Sequence, residues 1–374
     1  MRWRIALRLS ALILVVPEVA MAQARVVVPI SQIVLPDADI RYSVPVRVGT
    51  SVALDALLDT GSTGLRVMRG AMFRNSYTDT GFLSVSAFSA GDKLTGTVGT
   101  ADLNIGGLAT DGPVPFEIVD SASCASFRPN CGAAGVAAPD YGIGGDGIAG
   151  QGFQAILGVG LRDAQGAENP LEHLGAKEWI IELPLPGQGG PGSLILNPGW
   201  QDLQGFSMFS LKPEGGGVWH DPGFADTITA CLNDATNGKS NCGQTILDTG
   251  APGMVAFAAG ATGPLWTAGD QATLAFGGLE QKFTVDGSAG TGLLREPKAA
   301  GGIDLVAGIA PFFAFDVFYD AAGGRIGLRP RQDAPDLSAA PQAGPGNSVE
   351  VIQMNAPGVA IPPPAGKLPS VITP

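Results

Sequence analysis

Histidine and basic residues are scarce in this chain of 374 residues, and their scarcity excludes several classes of protein. The two histidines are His173 and His220, and no GxSxG motif occurs, so a Ser-His-Asp hydrolase site is a poor interpretation. Lys and Arg number 22 against 34 Asp and Glu, which gives a net charge of −12. A chain this acidic is not expected to bind nucleic acid or an anionic membrane surface.

Long apolar runs are also lacking. The run ALILVV (11–16) is short for a membrane span and is followed by Pro17 and Glu18. Three Arg residues precede it, and residues 20–22 (AMA) match the small-x-small pattern of a cleavage site. Residues 1–22 are therefore predicted to be a signal peptide. The mature protein is expected to be periplasmic or secreted, with no membrane insertion after cleavage.

Cysteine is limited to four residues, which fall into two close pairs, Cys124 with Cys131 and Cys231 with Cys242. These spacings do not match a zinc finger or ribbon, and the chain has only two His to complete one. Two local disulfides formed in an oxidising compartment are the better prediction. No metal site and no other cofactor is predicted.

Aromatic residues make up only 7% of the chain, whereas Gly (55) and Pro (29) are abundant. Both disfavour helix interiors, so the composition predicts short strands joined by turns. Strand-like patterns begin near residue 24, and helix-compatible spacing appears only over 169–179. The length suits two domains or lobes. Residues 332–374, rich in Pro, Ala and Gly, are predicted to form an extended or disordered tail.

Asp-Thr-Gly occurs three times in the chain, starting at Asp59, Asp79 and Asp248. Asp59 follows Leu57-Leu58 and Asp248 follows Ile246-Leu247, so each ends an apolar segment typical of a buried strand. Asp79 lacks such a segment and is predicted to lie in a turn. The other two triplets, 189 residues apart (248 − 59), indicate an internal duplication.

A second pair of markers accompanies the duplication. An apolar-apolar-Gly segment follows each triplet, at 156–158 (ILG) and 306–308 (VAG), and the chain then reaches FDVFYDAAGGRIGL (315–328). With these features the chain resembles the pepsin-like, bilobal aspartic peptidases of bacterial type. The resemblance covers about residues 26–330 and implies an all-β fold with two pseudo-symmetric lobes and a central cleft. The expected N-terminal lobe is 23–200 and the C-terminal lobe 201–331.

The resemblance implies an aspartic-type endopeptidase that acts on a peptide or protein substrate. Asp59 and Asp248 would be the catalytic pair, because two carboxylates in contact cannot both ionise and can therefore divide the roles of base and acid. The active-site loops would comprise Thr60, Gly61, Ser62, Thr249, Gly250 and Ala251. Their Thr residues would cross-link the loops by hydrogen bonds, and their Gly residues would offer N–H groups to the carboxylates.

The expected flap departs from the family pattern. In the family this hairpin carries a Tyr that pairs with a Trp four positions after the Ser of the first triplet loop, but Arg66 stands at the Trp position. The matching region, 86–107, has no Tyr and supplies Phe88, Ser89 and Gly91 as flap and substrate-binding residues. The alternative is therefore a non-catalytic protein of the same fold that binds peptides or a cell-envelope partner.

Two other departures bear on activity and its regulation. Ala251 replaces a hydroxyl residue, so the pKa of Asp248 is expected to be raised and the working pH to be less acidic than that of pepsin. Between Ala22 and Asp59 lie 36 residues (59 − 22 − 1), which leaves no room for an inhibitory prosegment beside the first strands. A monomer is expected. The disulfide-closed, Gly-rich insertion of the first lobe is expected to overhang the cleft.

Overall fold

The computed structural model describes residues 24–162, 168–214, 223–236, 238–258, 263–264, 267–287, 289–297 and 302–338. The predicted signal peptide, and the predicted tail from residue 339 onward, lie outside the described residues. The described strands, in chain order, are β1 Val26–Val34, β2 Ile40–Val48, β3 Leu54–Asp59, β4 Thr63–Met68, β5 Thr78–Ala87, β6 Asp92–Ala101, β7 Leu103–Ile105, β8 Leu108–Ala109, β9 Val114–Cys124, β10 Ala155–Val159, β11 Glu178–Glu182, β12 Gly192–Leu196, β13 Ser207–Ser210, β14 Thr227–Asp234, β15 Lys239–Ile246, β16 Met254–Ala258, β17 Gly263–Pro264, β18 Gln271–Phe276, β19 Leu279–Thr284, β20 Leu293–Pro297, β21 Leu305–Val306, β22 Phe315–Asp320 and β23 Arg325–Pro330.

Helical structure within the described residues is confined to single turns. The helix α1 spans Pro311–Ala314, and the 3-10 helices are Arg69–Ala71, Gly132–Gly135, Ala138–Asp140 and Glu172–Leu174. No helix among the described residues is long and apolar enough to span a membrane. The prediction of an all-β fold is confirmed.

The strands form two sheets. The larger has 15 strands in the order β13-β23-β22-β11-β12-β1-β2-β3-β10-β4-β9-β6-β5, with β7 and β8 attached beside β2. The smaller has eight strands in the order β17-β20-β16-β21-β15-β14-β18-β19. The lobe boundary predicted near residue 200 falls between β12 and β13, both in the larger sheet, and it stays a prediction.

Part of the larger sheet is built from both halves of the chain. The C-terminal hairpin β22–β23 pairs with β11 of the first half, and Trp179 lies opposite Tyr319 with their rings stacked 6.1 Å apart. Both side chains are buried, so this contact removes a large apolar area from water. The sequence FDVFYDAAGGRIGL thus forms the hairpin that joins the two halves.

The two halves repeat one arrangement around the triplets that begin at Asp59 and Asp248. In the first half, β10 runs parallel to β3 and antiparallel to β4. In the second half, β21 runs parallel to β15 and antiparallel to β16. Each apolar-apolar-Gly segment therefore lies beside a strand that leads into a triplet. The strands β10 and β21, which contain these segments, are buried along their whole length, which explains their apolar sequences.

Two stretches of the chain add to what the sequence patterns indicated. The helix-compatible spacing over 169–179 yields only the 3-10 turn Glu172–Leu174, because Gly175 adopts a left-handed conformation (φ 76°) that ends it. The first residues of the predicted tail are not free of the fold, since Leu337 is buried and its carbonyl accepts the N–H of Thr284 at 2.8 Å.

Candidate active site

The strands β3 and β15 carry the two Asp-Thr-Gly triplets to the same place in the molecule. The apolar residues before each triplet are buried, so each Asp leaves the core at the end of its strand. Thr60 and Thr249 then join the two loops with four hydrogen bonds. The backbone N–H of each Thr donates to the hydroxyl of the other at 3.1 and 3.0 Å. Each hydroxyl donates in turn to a backbone carbonyl of the other loop, Leu247 or Leu58, at 2.7 Å.

This cross-link brings the carboxyl groups of Asp59 and Asp248 close together, since a Cβ on Gly250 would lie within 3.1 Å of Oδ1 of both residues. The N–H of Gly61 donates to Asp59 Oδ1 at 2.8 Å, and the N–H of Gly250 donates to Asp248 Oδ1 at 2.8 Å. In addition, Ser62 Oγ donates to Asp59 Oδ2 at 2.5 Å. The two carboxylates are therefore held by donors as well as by each other.

Glycine is required at the third position of each triplet by this close approach. A Cβ on Gly61 would lie 2.4 Å from Cγ of Asp248. A Cβ on Gly250 would lie 2.8 Å from Oδ1 of Asp59. Any larger residue would push the opposite carboxylate away, so the Gly of each loop provides the space that the other loop's Asp occupies.

The electrostatics of the pair favour one shared proton. Burial raises the pKa of Asp248 well above its ordinary value, and the neighbouring charge of Asp59 and their shared hydrogen bond raise it further. The N–H groups of Gly250 and Ala251 act in the opposite direction. The Ser62 hydroxyl bonds Asp59, but Ala251 has no hydroxyl to offer Asp248. Asp248 is therefore the member that retains the proton more readily.

The third triplet lies apart from this pair. Asp79 is exposed, at a β-bulge in β5 rather than in the turn predicted, and its carboxylate pairs with Arg69 at 2.9 Å. Gly81 takes φ 74° there and donates its N–H to Asp79 Oδ1. The triplet thus builds a bulge, and the structure brings only the other two together.

The region predicted to be the flap forms the hairpin β5–β6, whose tip runs from Phe88 to Gly91. The N–H of Gly91 donates to the Phe88 carbonyl and the N–H of Phe88 to the Asp92 carbonyl, both at 2.9 Å. Phe88 is partly buried against an apolar cluster that includes Leu57 and Ile156, whereas Ser89 is exposed. The tip is thus folded down onto the first lobe by an aromatic residue other than Tyr.

Arg66 occupies the space beneath the flap and is almost fully buried. Its Nε donates to Ser86 Oγ of the flap at 2.8 Å, and its guanidinium lies 5.5 Å from the centre of the Phe88 ring. The carboxylate of Glu117 on β9 lies 3.3 Å from the same Nε. Sequence reasoning identified Arg66 only as a departure and missed Glu117 and Ser86. The signal for Glu117 was a single charge within the apolar segment VPFEIV.

The insertion closed by the Cys124–Cys131 disulfide reaches across to the other lobe. Arg128, inside this loop, donates to the carbonyl of Ser89 at the flap tip at 3.3 Å and to Glu296 of β20 at 2.5 Å. Because β20 belongs to the smaller sheet, this ion pair links the flap region of one lobe to the other lobe. The second predicted disulfide, Cys231–Cys242, is also formed.

Outside the aspartate pair, one cluster of carboxylates and one histidine in the described part of the chain could hold a metal or act as a base, and both have partners. Three carboxylates, Asp37, Asp39 and Asp146, lie close together at the Gly-rich insertion. The fully buried Arg41 pairs with Asp146 at 2.5 Å and with Asp39 at 3.3 Å, so its charge offsets that of the group. His173 contacts Glu168 at 2.5 Å. The other histidine lies outside the described residues.

Comparison with known proteins supports the fold. The structure is similar to the crystal structure of an aspartic proteinase from Irpex lacteus, with a TM-score of 0.51, over 84% of this chain and 100% of that chain. The sequences are 15% identical over this match, which establishes a likeness of fold alone. No family model matches the sequence, and no curated protein matches it either. The chain thus has the two-lobed fold of an aspartic proteinase.

Proposed function

We propose that the chain is an aspartic-type endopeptidase, a member of the pepsin-like family of bacterial type. The observation that carries the proposal is the contact between the carboxyl groups of Asp59 and Asp248, for which Gly61 and Gly250 leave the space. Two carboxyl groups held together and partly removed from water are costly to a fold unless they are used. The fold likeness to an aspartic proteinase supports the same class.

The geometry supports a mechanism in which the two aspartates exchange roles. Asp59, ionised, takes a proton from a water molecule as the water oxygen attacks the peptide carbonyl carbon. Asp248 gives its proton to the carbonyl oxygen, which produces a tetrahedral diol. Asp59 then passes its proton to the amide nitrogen while Asp248 recovers one from the diol. The C–N bond breaks and the starting protonation state returns.

The substrate of this site would be an extended segment of peptide that lies in the cleft beneath the flap. The chemistry needs no cofactor, since both proton transfers use side chains of the chain itself. We propose that the enzyme works as a monomer outside the cytoplasm, in the periplasm or after secretion. The two disulfides and the predicted signal peptide support that location.

The test is cleavage of a broad peptide library between about pH 3 and pH 7, a range that starts below the ordinary Asp pKa. Asp59→Asn and Asp248→Asn variants are compared with the unaltered protein, each with and without pepstatin. The proposal expects cleavage that both substitutions abolish. Cleavage that survives either substitution would reject the aspartate mechanism. A pH–rate profile with its maximum below about pH 3 would contradict the raised pKa of Asp248.

A second function, peptide or cell-envelope binding without catalysis, is favoured by the atypical flap. Arg66 stands at the family's Trp position, the expected Tyr position falls near Ser89 with Phe88 adjacent, and Arg128 links the flap region to the other lobe. Under this proposal the folded protein cleaves no library peptide at any pH but is stabilised against unfolding by peptides that bind in the cleft. Retention of binding by the Asp59→Asn variant would support it.

A further inference from the structure

A buried network of polar groups ties the flap to β4, the strand that follows the loop carrying Asp59. The network is centred on Arg66, whose side chain leaves β4 on the face opposite the buried Leu65 and Val67. Only 7% of Arg66 is exposed to solvent. Burying a guanidinium is costly unless its donors and its charge are satisfied, so its partners identify what the residue does.

The partners come from three different parts of the lobe. Glu117 lies directly beside Arg66 on the neighbouring strand β9 and is fully buried. Ser86, on the flap strand β5, accepts from Arg66 Nε at 2.8 Å and donates to Glu117 Oε2 at 2.6 Å. Nη1 of Arg66 donates to the carbonyl of Gly64 at 3.2 Å. One side chain thus contacts the flap strand β5, the neighbouring strand β9 and the start of its own strand β4, which follows the triplet loop directly.

The flap tip is included through Phe88. Its ring lies 5.5 Å from the guanidinium and packs on the apolar cluster of the lobe. Both contacts hold the flap tip against the first lobe. In the family pattern, two aromatic residues join the flap to the floor of the cleft. Here a cation and an aromatic ring make the corresponding connection, with a carboxylate and a hydroxyl added.

The charge of Arg66 also acts on the aspartate pair. Gly158 pairs with Asp59 on one side and with Gly64 on the other, so two strand spacings, about 10 Å, separate the backbones of Asp59 and Gly64. Burial lowers the pKa of Arg66, and the carboxylates of Glu117 and Asp59 oppose that effect. The guanidinium is therefore close enough to Asp59 for each charge to stabilise the other.

The other titratable groups around the pair do not supply this positive charge. Glu117 is a carboxyl group whose pKa is raised by burial. Tyr319 of β22 lies behind the triplet loops, and burial raises its pKa, so it stays neutral over the working range. Asp226, just before β14, is buried and accepts the N–H of Leu161 at 2.7 Å, and burial raises its pKa to about 7. Arg162 is a cation, but its Nε lies 3.9 Å from Asp226 and its charge is paired with that carboxylate.

We propose that Arg66 is a positioning residue of the aspartic site, with two effects on catalysis. Through Ser86 and Phe88 it holds the flap closed over the cleft. Through its charge it keeps Asp59 ionised, which fixes Asp59 as the base and leaves the proton on Asp248. This inference rests on the proposed peptidase function, because it assigns a role within that site. A structural role alone does not account for the residue, since apolar residues of similar volume stabilise a core as well as a buried ion pair does.

The experiment compares Arg66→Met with Arg66→Lys in cleavage assays across pH. Methionine removes the charge and the donors, whereas lysine keeps the charge but cannot satisfy Ser86 and the Gly64 carbonyl together. If the separation of the charges is taken as the backbone separation of about 10 Å and the effective dielectric constant as about 20, a unit charge moves a pKa by about one unit. We expect Arg66→Met to move the acidic limb of the kcat/KM profile up by about one pH unit. We expect Arg66→Lys to leave that limb in place, and both variants to raise KM about tenfold by releasing the flap.

Two further variants separate positioning from stability. Glu117→Gln disturbs the same network but keeps the Arg66 charge, so it must not move the acidic limb upward. The double variant Arg66→Met, Glu117→Leu removes both buried charges and is expected to fold at least as well as the single one. It must show the same upward shift. An acidic limb that stays in place in both Met variants overturns the inference, as does an equal upward shift in Glu117→Gln.

A readout that does not depend on cleavage distinguishes failure of this inference from failure of the peptidase proposal. An epoxide reagent esterifies an ionised carboxylate, and mass spectrometry of the labelled protein identifies which Asp is modified at each pH. We expect label on Asp59, with a pH profile that Arg66→Met moves up by about one unit. Label with this behaviour but no cleavage supports the inference and rejects the peptidase. Label on Asp248, or no label and no cleavage, overturns the inference.

Discussion

Removing one of the two Thr hydroxyls that cross-link the triplet loops should destabilise the protein strongly. In Thr249→Val the side chain keeps its shape but loses the hydrogen bond to the Leu58 carbonyl and the one from the Thr60 N–H. Both backbone groups stay buried, and each unpaired group costs about 1–3 kcal/mol. The variant is therefore expected to lose about 2–6 kcal/mol of unfolding free energy. Thr60→Val breaks the equivalent pair and should cost a similar amount.

The assay is guanidinium chloride unfolding followed by circular dichroism, with the disulfides intact. A loss of stability without a change in the native state appears as a lower midpoint at an unchanged slope. The matched control is Thr249→Ser, which keeps the hydroxyl and loses one methyl group, at a cost of about 1 kcal/mol. If Thr249→Val proves no less stable than Thr249→Ser, the four hydrogen bonds do not hold the lobes together and the reasoning is refuted.

Three other outcomes follow from the same contacts. Gly61→Ala should abolish peptide cleavage, because the new methyl group displaces the carboxylate of Asp248. The control Gly70→Ala, which has open space around the new methyl group, should keep its activity, and equal activities of the two variants would contradict the prediction. The unfolding free energy of Asp226→Asn minus that of the unaltered protein should increase from about pH 4 to about pH 7. Burial raises the pKa of the Asp226 carboxyl to about 7, so between these pH values the folded protein keeps a proton that the unfolded chain releases. The unaltered protein therefore becomes less stable as the pH rises, and a gain that does not depend on pH would contradict this prediction. Glu296→Gln breaks the ion pair with Arg128 and should lower KM for long peptides about twofold to fivefold, because the free energy of a partly exposed ion pair is small. The variant should also weaken the salt dependence of KM, and an unchanged KM at low and high salt would refute a gating effect.

The central features of the candidate site could be predicted from the sequence because they depend on short, local patterns. An apolar strand that ends in Asp-Thr-Gly needs only about six residues to be recognised, and its position in the fold follows from burial. The same strand context separated Asp59 and Asp248 from Asp79. The helix-compatible spacing over 169–179 produces only one helical turn for an equally local reason, because Gly175 ends that turn and β11 begins at Glu178.

The contacts around the flap could not be predicted in this way. Arg128 and Glu296 are 168 residues apart, and nothing near either residue indicates that they meet. Glu117 and Arg66 become neighbours only because β4 and β9 pair in parallel, which is a property of the sheet order. A charged residue in an apolar strand identifies a buried group in need of a partner. Which partner it finds is decided by the assembled fold.

The two triplet loops and the strands that follow them differ at two positions that bear on the proposed chemistry. Counting each Asp as the first residue, the fourth residue is Ser62 in one loop and Ala251 in the other, and the eighth is Arg66 in one and Val255 in the other. The hydroxyl donates to Asp59 at 2.5 Å, and the guanidinium places a positive charge near the same carboxylate. Both differences favour negative charge on the first aspartate and leave the second to hold the proton. A symmetric frame brings the two carboxyl groups together, and under the mechanism proposed here two differences on one side of that frame determine which of them acts as the base.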